Sequence, residues 1–335
     1  MRVALVFDME GTSHITDIRE PFPIYLEYWR SGREKLTNDI VAATNGLLKG
    51  GATEVWILNH HGAGDADWPN AIVERLPERS HLAEEWGKQA MREHVDAMFQ
   101  VGVHARGGSP TFQSHTLSPG LRLRHEGELL SESHWWAWTG NVPVLGMVGA
   151  EQLGLELGSL ADIPFLAVQR SHSRTHAEPV FASPRETADA IESFAESTVR
   201  DVANRRTATP PGPIRLEACQ QTGDDAADAM TNAGWTQTSR TEFVIEAEAW
   251  RGEDERVDNA IHEAAAAAWQ PYAFWFEGLD PTSEQTALSY GGAALARSDA
   301  MLRSWSEDRT PSWFEPLALD GHWEGFQAGA EPAER

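Results

Sequence analysis

Short apolar runs alternate with an amphipathic segment over the first sixty residues. Residues 2–7 form an apolar run of strand length, and residues 54–58 form a second one. Between them, apolar residues recur at helical spacing over 33–49 and stop at Gly50-Gly51. This order predicts a β-α-β unit, in which a helix joins two strands.

The same kind of pattern continues along the chain. Residues 97–103 form a third apolar run and predict another buried strand. The segment 121–130 alternates in polarity around a Glu-Gly turn signal, which predicts a hairpin, and Ser131 follows as the expected N-cap of a short helix. Further strands are predicted over 142–148 and 164–169, and further helices near 83–95 and over 184–205.

A proline-rich segment at 209–213 is the clearest linker in the chain. We expect an α/β fold with a mostly parallel central sheet and flanking helices, followed by a smaller α+β unit and an irregular tail. Beyond the linker, the pattern predicts strands over 214–218 and 241–248 and helices over 223–234 and 255–269. The expected divisions are a main α/β domain over 1–208, the α+β unit over 214–271, and a partly disordered extension over 272–335.

The composition is typical of a soluble globular protein, with 41% apolar residues and a mean hydropathy of −0.43. No apolar stretch approaches the ~18 residues of a membrane helix, and the N-terminus runs directly into a strand, so we expect a cytoplasmic protein without a signal peptide. The net charge of −24 argues against binding to nucleic acid or to an anionic membrane. The single cysteine, Cys219, excludes a cysteine-rich metal site, so any metal would need imidazole and carboxylate ligands.

Acidic and imidazole side chains follow three of the predicted strands. Asp8 and Glu10 follow the first strand at a spacing that lets both carboxylates face one point. His60 or His61 follows the second strand, and His104 follows the third. Because the carboxyl ends of parallel strands meet at one edge of a sheet, we expect these side chains to converge on a metal ion.

Glu132 and His115 complete the candidate site. With Glu132, the strand-end residues reach the ligand number of a two-metal hydrolytic centre, in which Zn²⁺ ions about 3.5–4 Å apart polarise a carbonyl and lower the pKa of water toward ~7. His115 follows a loop that contains glycine and serine, and it is suited to proton transfer or to nucleophilic attack. Arg106 is expected to orient a carboxylate, to support this loop, or to form a structural salt bridge. The domain 1–208 is therefore the expected metal-binding catalytic domain.

Several motifs occur in one collinear order: VFDMEG at 6–11, TEVWILNHHG at 53–62, FQVGVHARGGSPTFQSHT at 99–116, SE at 131–132, NVPVLGMVG at 141–149, SRTHAEPVFASP at 173–184 and TEFVIEA at 241–247. Together they make the sequence similar to the zinc D-aminopeptidase family typified by the D-aminopeptidase of the bacterial dipeptide-permease operon. The similarity covers about residues 1–270.

This resemblance implies two zinc ions per subunit. The implied ligands are Asp8, Glu10, His61, His104 and Glu132. It places His115 at the family's nucleophile position, whereas the chemistry of the residues themselves favours His115 as a proton carrier. The resemblance also implies a large homo-oligomer, since family members form decamers of two stacked pentameric rings.

Two departures from the family pattern concern the site. The family's Asp-Ser-His after the second strand is Asn59-His60-His61 here, which makes His60 a second candidate ligand. Near the predicted short helix, the bulky Trp135 and Trp136 stand where the family has smaller residues around its carboxylate. These indoles are either core residues or walls of an aromatic substrate pocket.

The sequence therefore predicts a zinc-dependent amide hydrolase acting on small peptides or amides, and in particular a D-aminopeptidase that releases N-terminal residues from short peptides or aminoacyl amides. A first alternative keeps the same metals but acts on a specialised or non-peptide amide. A metal-dependent phosphoesterase is a second alternative, opposed by the lack of basic residues near the motifs. A non-catalytic metal-binding scaffold is a third, opposed by the presence of His115 beside a full ligand set.

Overall fold

A computed structural model describes residues 1–61, 69–83, 93–220, 224–250 and 256–269. The predicted extension over 272–335 and most of the helix predicted near 83–95 lie outside these described residues. None of the helices in the described ranges is long and apolar enough to cross a membrane.

Twelve strands are assigned in the described ranges. They are β1 (Arg2–Phe7), β2 (Glu54–Asn59), β3 (Ser80–Leu82), β4 (Ala97–Val103), β5 (Leu121–His125), β6 (Glu128–Leu129), β7 (Val144–Ala150), β8 (Phe165–Ser171), β9 (Ala177–Pro179), β10 (Ile214–Gln220), β11 (Thr236–Gln237) and β12 (Glu242–Ala247). The central sheet has the order β3-β2-β1-β4-β7-β8-β9, and only the pair β8 and β9 is antiparallel. The predicted mostly parallel sheet is confirmed.

The helices of the described chain are α1 (Leu26–Gly50), α2 (Glu132–Gly140), α3 (Glu151–Leu155), α4 (Pro184–Arg200), α5 (Asp224–Asn232) and α6 (Arg256–Trp269). Ser131 is the N-cap of α2, as predicted. Helix α1 begins at Leu26 rather than at residue 33, because Trp29 and Gly32 in its first two turns are buried and the indole N–H of Trp29 donates to Asn70 Oδ1 at 2.9 Å. Helix α4 ends at Arg200 and gives way to a 3₁₀ turn instead of continuing to residue 205.

A second, antiparallel sheet has the order β11-β12-β10-β5-β6. Its β5-β6 hairpin precedes the linker in sequence, whereas β10 and β12 follow it. Strands from both sides of the linker therefore share one hydrogen-bonded sheet. The division into 1–208, 214–271 and 272–335 remains a prediction.

The central sheet is buried on both faces, as the side-chain alternation of β1 illustrates. Val3, Leu5 and Phe7 belong to one apolar core together with residues of α1 and α4. Ala4 and Val6 belong to a second core with residues of α2, α6 and the second sheet. Burial on both faces explains why the parallel strands appear in the sequence as uninterrupted apolar runs.

Candidate metal centre

The site lies at the carboxyl ends of the adjacent parallel strands β1, β2 and β4. Asp8 directly follows β1, His60 and His61 follow β2, and His104 follows β4. The hydrogen bonding between β1 and β4 continues to Asp8, whose N–H donates to the Val101 carbonyl at 2.9 Å. The sheet therefore brings together side chains that are up to 96 positions apart in the chain.

Glycines allow the close approach of the chain after β1 to the end of β4. The N–H of Gly11 donates to the carbonyl of Gly102 at 2.8 Å. A Cβ on Gly11 would lie 1.9 Å from the carbonyl oxygen of Val103, so a larger residue does not fit there. This contact turns the chain so that Glu10 lies beside Asp8.

One end of the site is formed by Asp8, Glu10 and His61, which are all buried. The Nδ1 atom of His61 lies 2.9 Å from Glu10 Oε2 and 3.2 Å from Asp8 Oδ1. Its Nε2–H donates to the carbonyl of Pro21 at 2.8 Å. This bond directs Nδ1 at the carboxylates, in the way that outer hydrogen bonds orient histidine ligands of metals.

The other end is built around Glu132, the first residue of α2. Glu132 Oε1 accepts a hydrogen bond from the Leu117 N–H at 2.6 Å, and Oε2 lies 2.6 Å from His60 Nε2. His115 Nε2 lies 3.3 Å from Oε1. Glu132 therefore joins the end of β2 to the loop that carries His115.

His104 connects the two ends. Its Nδ1–H donates to the carbonyl of Ala105 at 2.9 Å, and its Nε2 lies 3.4 Å from Asp8 Oδ2 and 3.5 Å from Glu132 Oε2. This Nε2 atom is buried and makes no hydrogen bond to the described part of the chain. A buried imidazole nitrogen in that position among carboxylates is what a divalent metal ion would satisfy.

Three groups of donor atoms in the described chain are compact enough to hold an ion, with all atoms of a group within 4.8 Å of one another. The groups are Asp8 with Glu10 and His104, Asp8 with His60 and Glu132, and His104 with His115 and Glu132. Because the groups share members, they form one continuous cluster rather than separate sites. The residues present fit a binuclear metal centre with nitrogen and oxygen ligands.

The loop between β4 and β5 presents His115 in a constrained backbone. Gln113 and Leu117 have positive φ angles of 47° and 61°, which side-chain-bearing residues rarely adopt. The Nδ1–H of His115 donates to the carbonyl of Gln113 at 2.7 Å, and its ring stacks on His104 with the centroids 4.2 Å apart. Backbone strain on both sides of one residue is characteristic of functional loops.

The protonation of the cluster follows from burial and mutual charge. Burial, together with the charge of Asp8, raises the pKa of Glu10 to about 8. Burial lowers the pKa of His61, but the neighbouring carboxylates outweigh burial and raise it to about 10. Burial and the adjacent His104 lower the pKa of His115 to about 4. His115 is therefore neutral at pH 7, with its proton on Nδ1, which donates to the Gln113 carbonyl.

The remaining residues predicted from the sequence lie around this cluster. Trp136 lines a cavity beside it, whereas Trp135 packs against His60 and donates its indole N–H to Asp258 Oδ1 at 2.8 Å. Arg106 lies outside the donor groups, with Nε 4.0 Å from Glu156 Oε2.

Glu156 is a contributor that the sequence analysis missed. It accepts hydrogen bonds from the Arg106 N–H at 3.1 Å and from the Ser109 hydroxyl, and so it fixes the start of the loop that carries His115. No motif surrounds Glu156, and only its position after α3 in the folded chain reveals the role.

The cavity beside the cluster is open to solvent. It is lined by Val6, Phe7, Asp8, His60, Gln100, Val103, His104, Glu132, Ser133 and Trp136. No lysine or arginine is among these described lining residues. The lining includes the acidic side chains of Asp8 and Glu132 and the aromatic side chains of Phe7 and Trp136.

Comparison with known proteins gives two matches. The model of peptidase family M55, described as D-aminopeptidase, matches residues 1–252. The structure is similar to that of the Zn-dependent D-aminopeptidase DppA from Bacillus subtilis, described as a self-compartmentalizing protease, with a TM-score of 0.68 and 20% sequence identity. That similarity covers 81% of this chain and 98% of the other. A comparison with curated protein sequences gives no match.

The structural similarity confirms the fold, and the family match confirms the resemblance found in the sequence motifs. Since the family model spans residues 1–252 of 335, this chain belongs to the D-aminopeptidase family M55.

Proposed function

We propose that this protein is a zinc-dependent D-aminopeptidase that releases N-terminal residues of D configuration from short peptides or aminoacyl amides. The observation that carries the proposal is the buried Nε2 of His104, which lies between the carboxylates of Asp8 and Glu132 without a hydrogen bond to the described chain. Membership of the D-aminopeptidase family supports the reaction, and the zinc dependence of the structural neighbour supports the metal.

The centre would hold two zinc ions per subunit. The residues that would bind them are Asp8, Glu10, His61, His104 and Glu132, which all lie in the cluster described above. Three carboxylates offset most of the four positive charges of two zinc ions, and imidazole nitrogens are ligands that zinc prefers in the absence of thiolates. When bound, zinc supplies a Lewis acid that polarises the scissile carbonyl and lowers the pKa of water.

His115 would carry the proton of the reaction. Its Nδ1–H donates to the Gln113 carbonyl, so Nε2, which lies 3.3 Å from Glu132 Oε1, is the nitrogen that would accept a proton from the attacking water and deliver it to the leaving amine. Its depressed pKa keeps this nitrogen unprotonated at neutral pH. The stacking on His104 holds the imidazole at the site without using either of its nitrogens.

Trp136 would set the size of the substrate side chain. Its side chain lines the same cavity as Asp8 and Glu132, and its ring lies 5.1 Å from that of His60. The same feature favours a second candidate function, a zinc hydrolase that acts on a specialised or non-peptide amide shaped to this aromatic wall.

The protein would act as a homo-oligomer. The structural neighbour is described as a self-compartmentalizing protease, and the family resemblance in the sequence implies a decamer of two pentameric rings. Light scattering on the full chain tests this proposal, since a monomer of 37.0 kDa and a ring assembly differ at least fivefold in mass. The expected cytoplasmic location stays a prediction.

The test of the function is hydrolysis by zinc-loaded full-length protein of matched D- and L-aminoacyl amides and of D-alanyl dipeptides. We expect turnover of the D substrates with little turnover of their L enantiomers. Turnover of neither series, with zinc bound, would refute the D-aminopeptidase assignment, and activity against non-peptide amides alone would favour the second candidate.

A further inference from the structure

The two consecutive histidines after β2 reach opposite ends of the carboxylate cluster. His61 Nδ1 lies 2.9 Å from Glu10 Oε2, whereas His60 Nε2 lies 2.6 Å from Glu132 Oε2. We propose that His60 binds a metal ion together with Asp8 and Glu132, as a sixth protein ligand beside the five that the family resemblance implies. This inference rests on the proposed metal centre and concerns its composition.

The backbone of His60 belongs to the rigid part of the site. Its N–H donates to the carbonyl of Phe7 at 2.9 Å, which extends the pairing of β1 with β2 by one residue. Phe7 immediately precedes Asp8, so the sheet fixes the backbone positions of His60 and Asp8 relative to each other. Ligands carried on paired strands hold metal geometry more tightly than ligands on free loops.

The donor atoms of His60, Asp8 and Glu132 lie within 4.8 Å of one another. The donor atoms of Asp8, Glu10 and His104 also lie within 4.8 Å of one another, and the two groups share Asp8. Two donor groups joined by one carboxylate match the arrangement of a binuclear centre with a bridging ligand. His60 places an imidazole beside Glu132, as His61 places one beside Glu10.

The ring of His60 is oriented by aromatic neighbours. Its centroid lies 5.1 Å from that of Trp136 in an edge-on arrangement and 5.6 Å from that of Trp135. Trp135 is in turn anchored by its hydrogen bond to Asp258 on α6. These contacts restrict the ring with its Nε2 directed at Glu132, so little conformational freedom remains to be lost on metal binding.

A competing role is that His60 only orients Glu132 by donating a hydrogen bond to it. The two roles differ in the position and protonation of Nε2. As a ligand, Nε2 carries no proton and lies ~2.0–2.1 Å from zinc. As an orienting donor, Nε2 keeps its proton and remains at hydrogen-bond distance from the carboxylate.

The direct experiment is a crystal structure of the full-length protein with zinc, in which anomalous scattering locates the ions. We expect one zinc ion ~2.0–2.1 Å from His60 Nε2. An Nε2 that stays on Glu132 and lies more than ~3 Å from every zinc ion would overturn the proposal. This measurement uses the natural sequence, so it does not depend on the folding of a variant.

A solution experiment complements it. Chelator-treated protein is titrated with zinc in competition with a chromophoric chelator, for the natural protein, for His60→Ser and for His81→Ser. His81 is a matched control because it lies on β3, packs against Trp56 with ring centroids 4.7 Å apart, and belongs to none of the donor groups of the described chain. We expect His60→Ser to weaken the binding of one of two zinc equivalents more than ~100-fold, beyond the ~10–100-fold that loss of an orienting hydrogen-bond partner costs. Natural affinity for both equivalents in His60→Ser would overturn the proposal.

The two proposals fail in different ways. If His60 coordinates zinc but no D-aminoacyl amide is hydrolysed, the proposed function fails and the ligand assignment stands. If the protein is an active D-aminopeptidase whose zinc ions do not contact His60, the ligand assignment fails alone. Absence of zinc from the cluster in a zinc-saturated crystal would overturn both.

Discussion

Replacing Gly102 by alanine will force apart the two strand ends that form the site. Gly102 has a φ angle of +73°, and a Cβ there would lie 2.0 Å from the carbonyl oxygen of Asp8 and 3.0 Å from Oγ1 of Thr12. Carbon and oxygen atoms that are not bonded to each other come no closer than ~3.3 Å in ordinary contacts. The backbone of Asp8 must therefore move by more than ~1 Å relative to β4 and His104.

The expected size of the effect follows from two terms. The left-handed backbone costs alanine ~1–2 kcal/mol, and overpacking of a close contact costs another ~1–3 kcal/mol. The free energy of unfolding should therefore fall by about 2–5 kcal/mol. A misplacement of ~1 Å in a catalytic site lowers the rate about 100-fold, so we expect at least that loss in kcat/KM on a D-aminoacyl amide.

Gly127→Ala is the matched control. Gly127 also has a positive φ angle, +85°, but a Cβ there meets no atom within 4 Å. This variant isolates the backbone term, so it should lose only ~1–2 kcal/mol of stability and keep its activity and zinc content. The assays are urea denaturation, zinc analysis and amide hydrolysis on both variants. We expect Gly102→Ala to lose ~100-fold in kcat/KM. If its kcat/KM and its zinc content both stay within about threefold of those of the natural protein, the reasoning is refuted.

Four further predictions concern single residues. His104→Ala should abolish amide hydrolysis and lower the zinc content measured by plasma mass spectrometry, and an active variant with full zinc would contradict the proposed centre. His115→Ala should keep its zinc but lose at least ~100-fold in kcat, as expected on removal of a proton carrier, and a near-natural rate would exclude that role. Trp136→Ala should raise the ratio of kcat/KM for D-phenylalanyl over D-alanyl amide at least ~10-fold because it enlarges the cavity; an unchanged ratio would show that the indole is not a pocket wall. Asp39 is buried and accepts two hydrogen bonds from Ser13, and burial raises its pKa to about 7, above its usual 3.8. Asp39 therefore binds its proton more tightly in the folded protein than in the unfolded chain. Its contribution to the free energy of unfolding is greatest at low pH and falls as the pH rises from about 4 to about 7. Asp39→Asn should remove this fall. Between pH 5 and pH 8 the free energy of unfolding of the variant, measured by urea denaturation, should exceed that of the natural protein by up to ~4 kcal/mol. A difference between the two proteins that does not change with pH would contradict this prediction.

The sequence determined the framework on which the site is built. The strand-length apolar runs ending at Asp8, His61 and His104 specify three strands that are buried on both faces, and such burial is typical of parallel strands between helices. Once the strands are parallel and adjacent, their carboxyl ends lie together, and the convergence of these side chains follows. The ligand types also follow from the sequence, since a single cysteine cannot build a cysteine-rich metal site.

Only the tertiary structure determined which contacts each of these side chains makes. His60 and His61 are equivalent in the sequence, and the register of β2 against β1 together with the position of α2 directs one to Glu132 and the other to Glu10. In the same way, packing against α6 makes Trp135 a support while Trp136 faces the cavity. These assignments depend on contacts between residues at least 51 positions apart, which no local periodicity encodes.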